Sequence, residues 1–317
     1  MSTSTSLHHR LAESGSVTSL RAELAILRAL RGQRWRCYHG AFYLDPNEYK
    51  LRELDVLARR FWRRQRRDRE ELARLDMLVE AKGAKDWQVV FSEETPGGET
   101  PGYVGRVWCG QLGQDRYPWL RAALASVGLG EARIATLLAQ FQRQAFPNVF
   151  ARMPIFVEPP PAEHIVTAFR ETNTDKEKDL ENSVLWRGIS ALRSATSALE
   201  LACEQWHAGW FADPELRTAD DREALSRFRD IATRSLGFVD MFHAVVVLDA
   251  GLWLTASHSL KRVPWCRFHQ LDHIGSVTWW CDVVQSSAFP AYARVVSAHY
   301  AKEFARRGGR AYRISDR

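Results

Sequence analysis

Two short runs of this chain set charged side chains inside apolar, β-prone sequence: Leu51-Arg-Glu-Leu-Asp55-Val-Leu-Ala and Leu78-Val-Glu80-Ala-Lys82-Gly. Ionised groups are not left unpaired in a packed interior, so both runs must lie along a shared edge or cleft. Residues two apart on a strand project to one face. Glu80 and Lys82 therefore point together while Ala81 points away, and the same rule pairs Glu53 with Asp55. With the two strands as neighbours, about 5 Å apart, three carboxylates and one ammonium converge. Carboxylates that close repel unless a cation sits between them.

Hard oxygen ligands with open positions suit Mg2+ or Mn2+, which bind through one or two carboxylates plus phosphate oxygens and keep several waters. A metal held in this way polarises a scissile phosphate, and Lys82 is placed to orient or help deprotonate an attacking water. The chemistry these residues imply is hydrolysis of a phosphodiester. Zinc would want Cys or His. Cys266, His269, His273 and Cys281 follow a C-x2-H-x3-H-x7-C spacing that matches no zinc module. Strand parity also sends Cys266 and His269 to opposite faces.

Between the two runs lie Arg59, Arg60, Arg63, Arg64, Arg66, Arg67 and Arg69, interrupted by Phe61 and Trp62. Guanidinium groups beside a carboxylate cluster grip flanking phosphates and position a nucleic acid without reading its sequence. Trp62 is placed to stack on an unpaired base. The competing reading is a solvated turn and short helix whose arginines are partly neutralised by Asp68, Glu70 and Glu71. The formal charge of +6 favours an anionic partner, although an excess of this size is ordinary for 317 residues.

A hydrophobic fraction of 45% and a charged fraction of 26% mark a globular chain, long enough for one large domain or two smaller ones. The Met-Ser-Thr-Ser-Thr-Ser start lacks the apolar core of a secretory signal, and no stretch is long enough to span a bilayer. A cytoplasmic protein with no membrane partner is expected. Five cysteines without a C-x-x-C pair fit reduced thiols. Twelve tryptophans belong mostly to the core, and a few at the surface would form a partner surface for protein or nucleic acid alike; a homo-oligomer or a partner protein is compatible with the chain.

Residues 1–16 are polar and expected to form a disordered tail. Leu20, Leu24, Leu27 and Leu30 share one face of a helix over Ser19–Arg31. Tyr38–Leu44, a turn at Asp45-Pro46-Asn47 and Leu51–Ala58 read as an antiparallel hairpin. Arg74–Ala81 reads as a third strand, and Trp87–Phe91 as a short β run after a turn at Gly83-Ala-Lys-Asp. The Gly-, Pro- and Thr-rich stretch Thr95–Gly105 leads to helices at Trp119–Val127 and Ala132–Gln144, a mainly helical insertion over about 95–160. Glu158-Pro159-Pro160-Pro161 reads as a connector or a boundary. A long helix over Leu180–Trp210 and a shorter one over Asp221–Arg234 precede Ala244–Leu248, an apolar run that reads as a buried strand. Joining it parallel to the Glu80 strand requires a crossover, which the long helix supplies. Gly251–Ala256, Trp265–Leu271 and Val277–Val284 read as further strands, and Tyr292–Ala305 as a closing helix.

The order strand, turn, Arg-Glu-x-Asp strand, then an apolar strand ending in Glu-x-Lys-Gly resembles the PD-(D/E)xK nuclease superfamily. The similarity is to bacterial members with a strand reading roughly REIDV and a later VECK, and it covers about Tyr38–Phe91. It implies an α/β class with a restriction-endonuclease-like mixed central sheet flanked by helices, over 17–317 with the helical insertion. The alternative is a nuclease core in 17–95 followed by a second α/β domain in 160–317. By the resemblance Asp55 matches the first metal-binding acid, Glu80 the second and Lys82 the catalytic lysine, with Glu53 an accessory acid. Ala81 would lend its backbone carbonyl to the metal, and Glu23 on the preceding helix is the candidate for a further acid. Leu54 stands where the founding motif has proline, and Ala81 where closer relatives often have cysteine; neither side chain does chemistry. The implied activity is an Mg2+- or Mn2+-dependent endonuclease acting on DNA rather than RNA, in defence or repair. The reading from another class is a nuclease-fold protein without activity that binds nucleic acid or a protein partner.

Overall fold

Apolar alternation along the strands and apolar stripes on the helices build one mixed sheet with helices on both faces. The computed structural model describes residues 14–65, 70–93, 118–145, 159–173, 176–236, 238–256, 259–271, 277–306 and 310–312. Helix α1 covers Gly15–Gly32, starting before the leucine spacing predicts because Ser14 caps it, its Oγ accepting from Val17 N at 3.3 Å. Of the expected tail, residues 1–13 lie outside the described residues. Strands β1 (Arg36–Leu44) and β2 (Leu51–Gln65) form the expected antiparallel hairpin. β2 then continues past Ala58 and pairs with β3 (Glu70–Glu93) from Val56↔Val79 to Gln65↔Glu70. The arginine-rich segment is therefore strand through Gln65, not a turn and helix.

β3 also runs on through the expected turn at Gly83. The chain does not reverse there but bulges between Gly83 and Gln88, and β5 (Phe238–Ala256) pairs with it in parallel on both sides of the bulge. This is the parallel partner expected from the Ala244–Leu248 run. Beyond the bulge β3 meets β4 (Ile165–Thr172), a strand the sequence reading lacks. β4 pairs in parallel with β7 (Trp265–Leu271), β7 antiparallel with β8 (Val277–Gln285), and β8 in parallel with β5, so the pairings β3–β4–β7–β8–β5 close on themselves. β6 (Ser259–Arg262) edges β5, and β9 (Arg310–Tyr312) adds to β2. β2 and β4 thus share one side of β3. Residues 80–87 lie between them with no strand on that side among the described residues.

Helices α2 (Pro118–Ser126), α3 (Glu131–Ala145), α5 (Glu215–Thr218) and α6 (Asp221–Leu236) gather with the end of α4 (Val184–Phe211) into a satellite core around Leu124, Phe211 and Phe228. The rest of α4 covers one face of the sheet through Leu185, Ile189 and Leu192; α1 and α7 (Phe289–Arg306) cover the other. No helix among the described residues is long and apolar enough to cross a membrane.

Two buried polar constructions fix these layers. Glu171 of β4 holds the start of α4, accepting from Ser183 Oγ at 2.8 Å, Val184 N at 3.0 Å and Leu185 N at 2.5 Å. Its burial opposes ionisation, but these donors outweigh it and hold its pKa below the usual value. On the opposite face Asp282 accepts from Arg267 Nε at 2.7 Å and Tyr292 OH at 2.7 Å, and lies 3.0 Å from His243 Nε2. Asp282 only accepts, so the imidazole carries its hydrogen on Nε2 and takes the Tyr300 hydroxyl, 2.8 Å away, on Nδ1. Burial lowers the His243 pKa more than Asp282 raises it, which keeps the ring neutral. Asp282→Ala should therefore strand a fully buried guanidinium and cost about 3–5 kcal/mol in urea unfolding, whereas the double variant Arg267→Met, Asp282→Leu should cost less.

Candidate active site

The β2–β3 ladder ends at Val56↔Val79. One residue further the strands part, and a side chain takes over from the backbone: Asp55 Oδ2 accepts from Ala81 N at 2.7 Å. The N–H and C=O of one strand residue point toward the same neighbour, so the Ala81 carbonyl opens onto the same gap. Along β3, Leu78 belongs to the α4-side core while Val79 and Ala81 belong to the other, which puts Glu80 and Lys82 beneath α4. Lys82 Nζ is hydrogen-bonded to Glu80 Oε2 and lies 3.6 Å from Asp55 Oδ2. Asp55, Glu80, Lys82 and the Ala81 backbone therefore meet.

Two residues absent from the sequence reading complete the enclosure. Gly188 lets α4 approach, because a Cβ there would stand 3.1 Å from Val246 Cγ1 and 3.4 Å from Lys82 Cγ. A glycine within a helical pattern is a signal that could have found it. Tyr43 donates to Ala191 O at 3.1 Å, and burial, followed by the nearby Glu80 charge, raises its pKa. Nothing local in the sequence marks Tyr43.

Glu80 is 2% exposed. Burial pushes its carboxyl up to about 7, against the pull of Lys82 and with a smaller push from Asp55. Burial works against the Lys82 ammonium too, yet Glu80 and Asp55 outweigh it and hold its pKa above the ordinary lysine value. Glu80 Oε1 is buried and has no hydrogen-bond partner among the described residues. A carboxylate with one oxygen on a lysine and no partner for the other among the described residues, beside a second carboxylate and a backbone carbonyl, is a hard-oxygen donor set of the kind that suits Mg2+ or Mn2+. Two carboxylates fall short of a cluster, and no group of three or more His, Cys, Asp or Glu able to hold a metal occurs among the described residues. Cys266 and Cys281 are free buried thiols in the α4-side core, and His273 lies outside the described residues.

Several expected members do not join. Glu53 is exposed, and its carboxylate leans over Gly40, with Oε1 2.5 Å from where a Cβ would stand. Gly40 is in the left-handed region, φ +61°, across from Asp55, and the hairpin is re-aimed there. Tyr43 and Leu54 pack on the α4 side, but Val56 packs on the other, so the alternation that pairs Glu53 with Asp55 fails across the kink. Glu23 is committed to His39 Nε2 at 2.6 Å and accepts from Ser19 Oγ.

The arginines are likewise redistributed. Arg59 grips Asp76 through Nε at 2.6 Å and Nη2 at 2.7 Å. Arg60 is partly buried over the rings of Trp35 and Trp62, and burial lowers its pKa. Trp62 itself is 2% exposed and stacks on Phe304 at 3.8 Å, which removes it as a platform for a base. Arg63 is exposed and Arg64 partly so, but at about 3.3 Å per residue they lie roughly 25–30 Å from Asp55 along β2. That is too far to flank a phosphate at the gap. Arg66 and Arg67 lie outside the described residues.

No protein-family model, curated protein or solved structure matches this chain.

Because the folded-state pKa of Glu80 is raised from 4.5 to about 7, its stabilising proton uptake is complete below pH 4.5 and lost as pH rises through 7. At about 1.4 kcal/mol per pH unit the effect is roughly 3 kcal/mol. Thermal unfolding in EDTA should show Glu80→Gln losing less stability than wild type between pH 5 and 8; parallel Tm profiles would contradict this.

Proposed function

We propose that the protein is a Mg2+- or Mn2+-dependent endonuclease of the PD-(D/E)xK kind, built on a restriction-endonuclease-like core and hydrolysing DNA. The observation that carries this reading is the meeting of Asp55, Glu80 and Lys82 in the gap beside β3, with no partner for Glu80 Oε1 among the described residues. The hairpin, the Glu-x-Lys strand and its parallel partner β5 support the fold assignment. A cytoplasmic setting accords with the free thiols of Cys37, Cys203, Cys266 and Cys281.

Asp55, Glu80 and the Ala81 carbonyl would hold the metal, which would supply Lewis-acid stabilisation of the phosphate charge. Asp55 is aimed by the Ala81 N–H, which donates to its Oδ2. Lys82 stays protonated at neutral pH, since both carboxylates raise its pKa. It therefore acts as a fixed positive charge that orients the attacking water and the phosphate oxygen, not as a base. The α4 roof at Gly188 and the Tyr43 ring limit water around Glu80 and strengthen these interactions. Arg59, Arg60 and Trp62 serve the fold, so phosphate contacts away from the gap fall to groups such as Arg63.

Purified wild type should cut circular and linear DNA with Mg2+ or Mn2+ and not in EDTA. Lys82→Ala and Asp55→Ala should lower the rate at least about 10²–10³-fold while circular dichroism shows the fold retained. Full cleavage by both folded variants would overturn the assignment.

A further inference from the structure

The hairpin beside the candidate site carries an exposed apolar platform. Phe42, Leu44, Tyr49 and Leu51 are 66%, 56%, 81% and 70% exposed. The register Phe42↔Glu53 and Leu44↔Leu51 puts Phe42, Leu44 and Leu51 on one face. The hairpin presenting them is held firmly. Asp45, itself buried, accepts from Asn47 N at 2.9 Å and Glu48 N at 3.2 Å and binds Arg52 Nε at 2.8 Å. Tyr49 is kept at φ +55°, a backbone region that bulky residues avoid, with its N–H on Asp45 O at 2.9 Å. Rigid display of large apolar side chains marks an interaction surface.

The two ends of the sheet differ in how they treat their free edges. β6 is four residues long, wholly exposed and carries Lys261 and Arg262, which is how natural sheets blunt an edge. β1 is nine residues long and has no charge from Gly40 to Leu44. No strand among the described residues pairs with its outer side, so its backbone is a template for another strand.

Charge selects the occupant. Residues 41–53 hold Asp45, Glu48 and Glu53 against Lys50 and Arg52, a slightly acidic surface that opposes a nucleic-acid backbone but nearly complements itself. We propose that a second copy of this chain adds its own β1 antiparallel to Ala41–Leu44, with Phe42 facing Phe42 across a two-fold axis. An isologous contact requires one patch to match itself, and Phe42, Leu44 and Leu51 do so when the strands run antiparallel. Directly opposed side chains then stand about 5 Å apart and the sheet continues through the axis. A standard interface covers about 800 Å² per partner, so the flanks of the hairpin contribute beside the four apolar residues.

Sedimentation equilibrium of the full chain, taken up to about 100 µM, tests this. Wild type should reach twice the 36.3 kDa chain mass, and Phe42→Lys should weaken association at least about 100-fold with an unchanged Tm. Under mild oxidant Phe42→Cys should give a disulfide-linked dimer, and Ser259→Cys on the blunted edge should not. A wild-type monomer throughout, or a dimer that Phe42→Lys leaves intact, overturns the proposal. So does a monomer whose hairpin amides gain exchange protection only when DNA is added.

Discussion

Where Asp55 accepts the Ala81 N–H, a side chain does what a backbone carbonyl does along the paired stretch of β2 and β3. A buried N–H must find an acceptor. Had Leu54 supplied it, the ladder would have zipped on and closed the edge of β3. Because Asp55 supplies it, the edge stays open from Glu80 to the point where β4 takes over at Gln88. The opening, the direction of the Ala81 carbonyl and the convergence of Glu80 with Lys82 all follow from that exchange. The bulge between Gly83 and Gln88 lies in the same interval, and β5 on the far side keeps β3 continuous through it.

Three buried carboxylates elsewhere are fully engaged. Asp282 is satisfied by Arg267, Tyr292 and His243, Glu171 by the first turn of α4, and Asp76 by both arms of Arg59. Asp240 lies 2.8 Å from Arg74 Nε, and neither of its oxygens has a hydrogen-bond partner among the described residues. Glu80 is buried, bonded to Lys82 through Oε2 and without a partner on Oε1 among the described residues, with its pKa carried to about 7. Burial without full satisfaction is costly in a structural ion pair. At a site that takes up a cation it is what makes the oxygen available.

The hairpin, the Glu-x-Lys strand and the helices were legible because turn chemistry and periodicity are local properties. The parallel β5 was legible because an all-apolar run announces a strand covered on both faces. β4 was not, since Ile165–Thr172 becomes a strand by pairing with β3 and β7, and its own alternation is weak. The arginines looked like a polar turn because composition does not reveal that Asp76 and Trp35 stand ready to receive Arg59 and Arg60. Glu53 does not join Asp55 for a geometric reason: parity presumes that alternation holds along β2, and Leu54 and Val56, two residues apart, pack into opposite cores.

The parallel pairing of β3 with β5 has a consequence for how the chain comes into being. Glu80 and Lys82 pair with Val246 and Leu248, far along the sequence. During synthesis the N-terminal hairpin and β3 emerge long before β5 exists, so the strand bearing the acid and the lysine waits with that edge bare. Non-local parallel pairing forms slowly because the intervening loop must first be closed. The half-made sheet is thus the vulnerable stage in the life of this protein, exposed both to mispairing and to the holding action of chaperones.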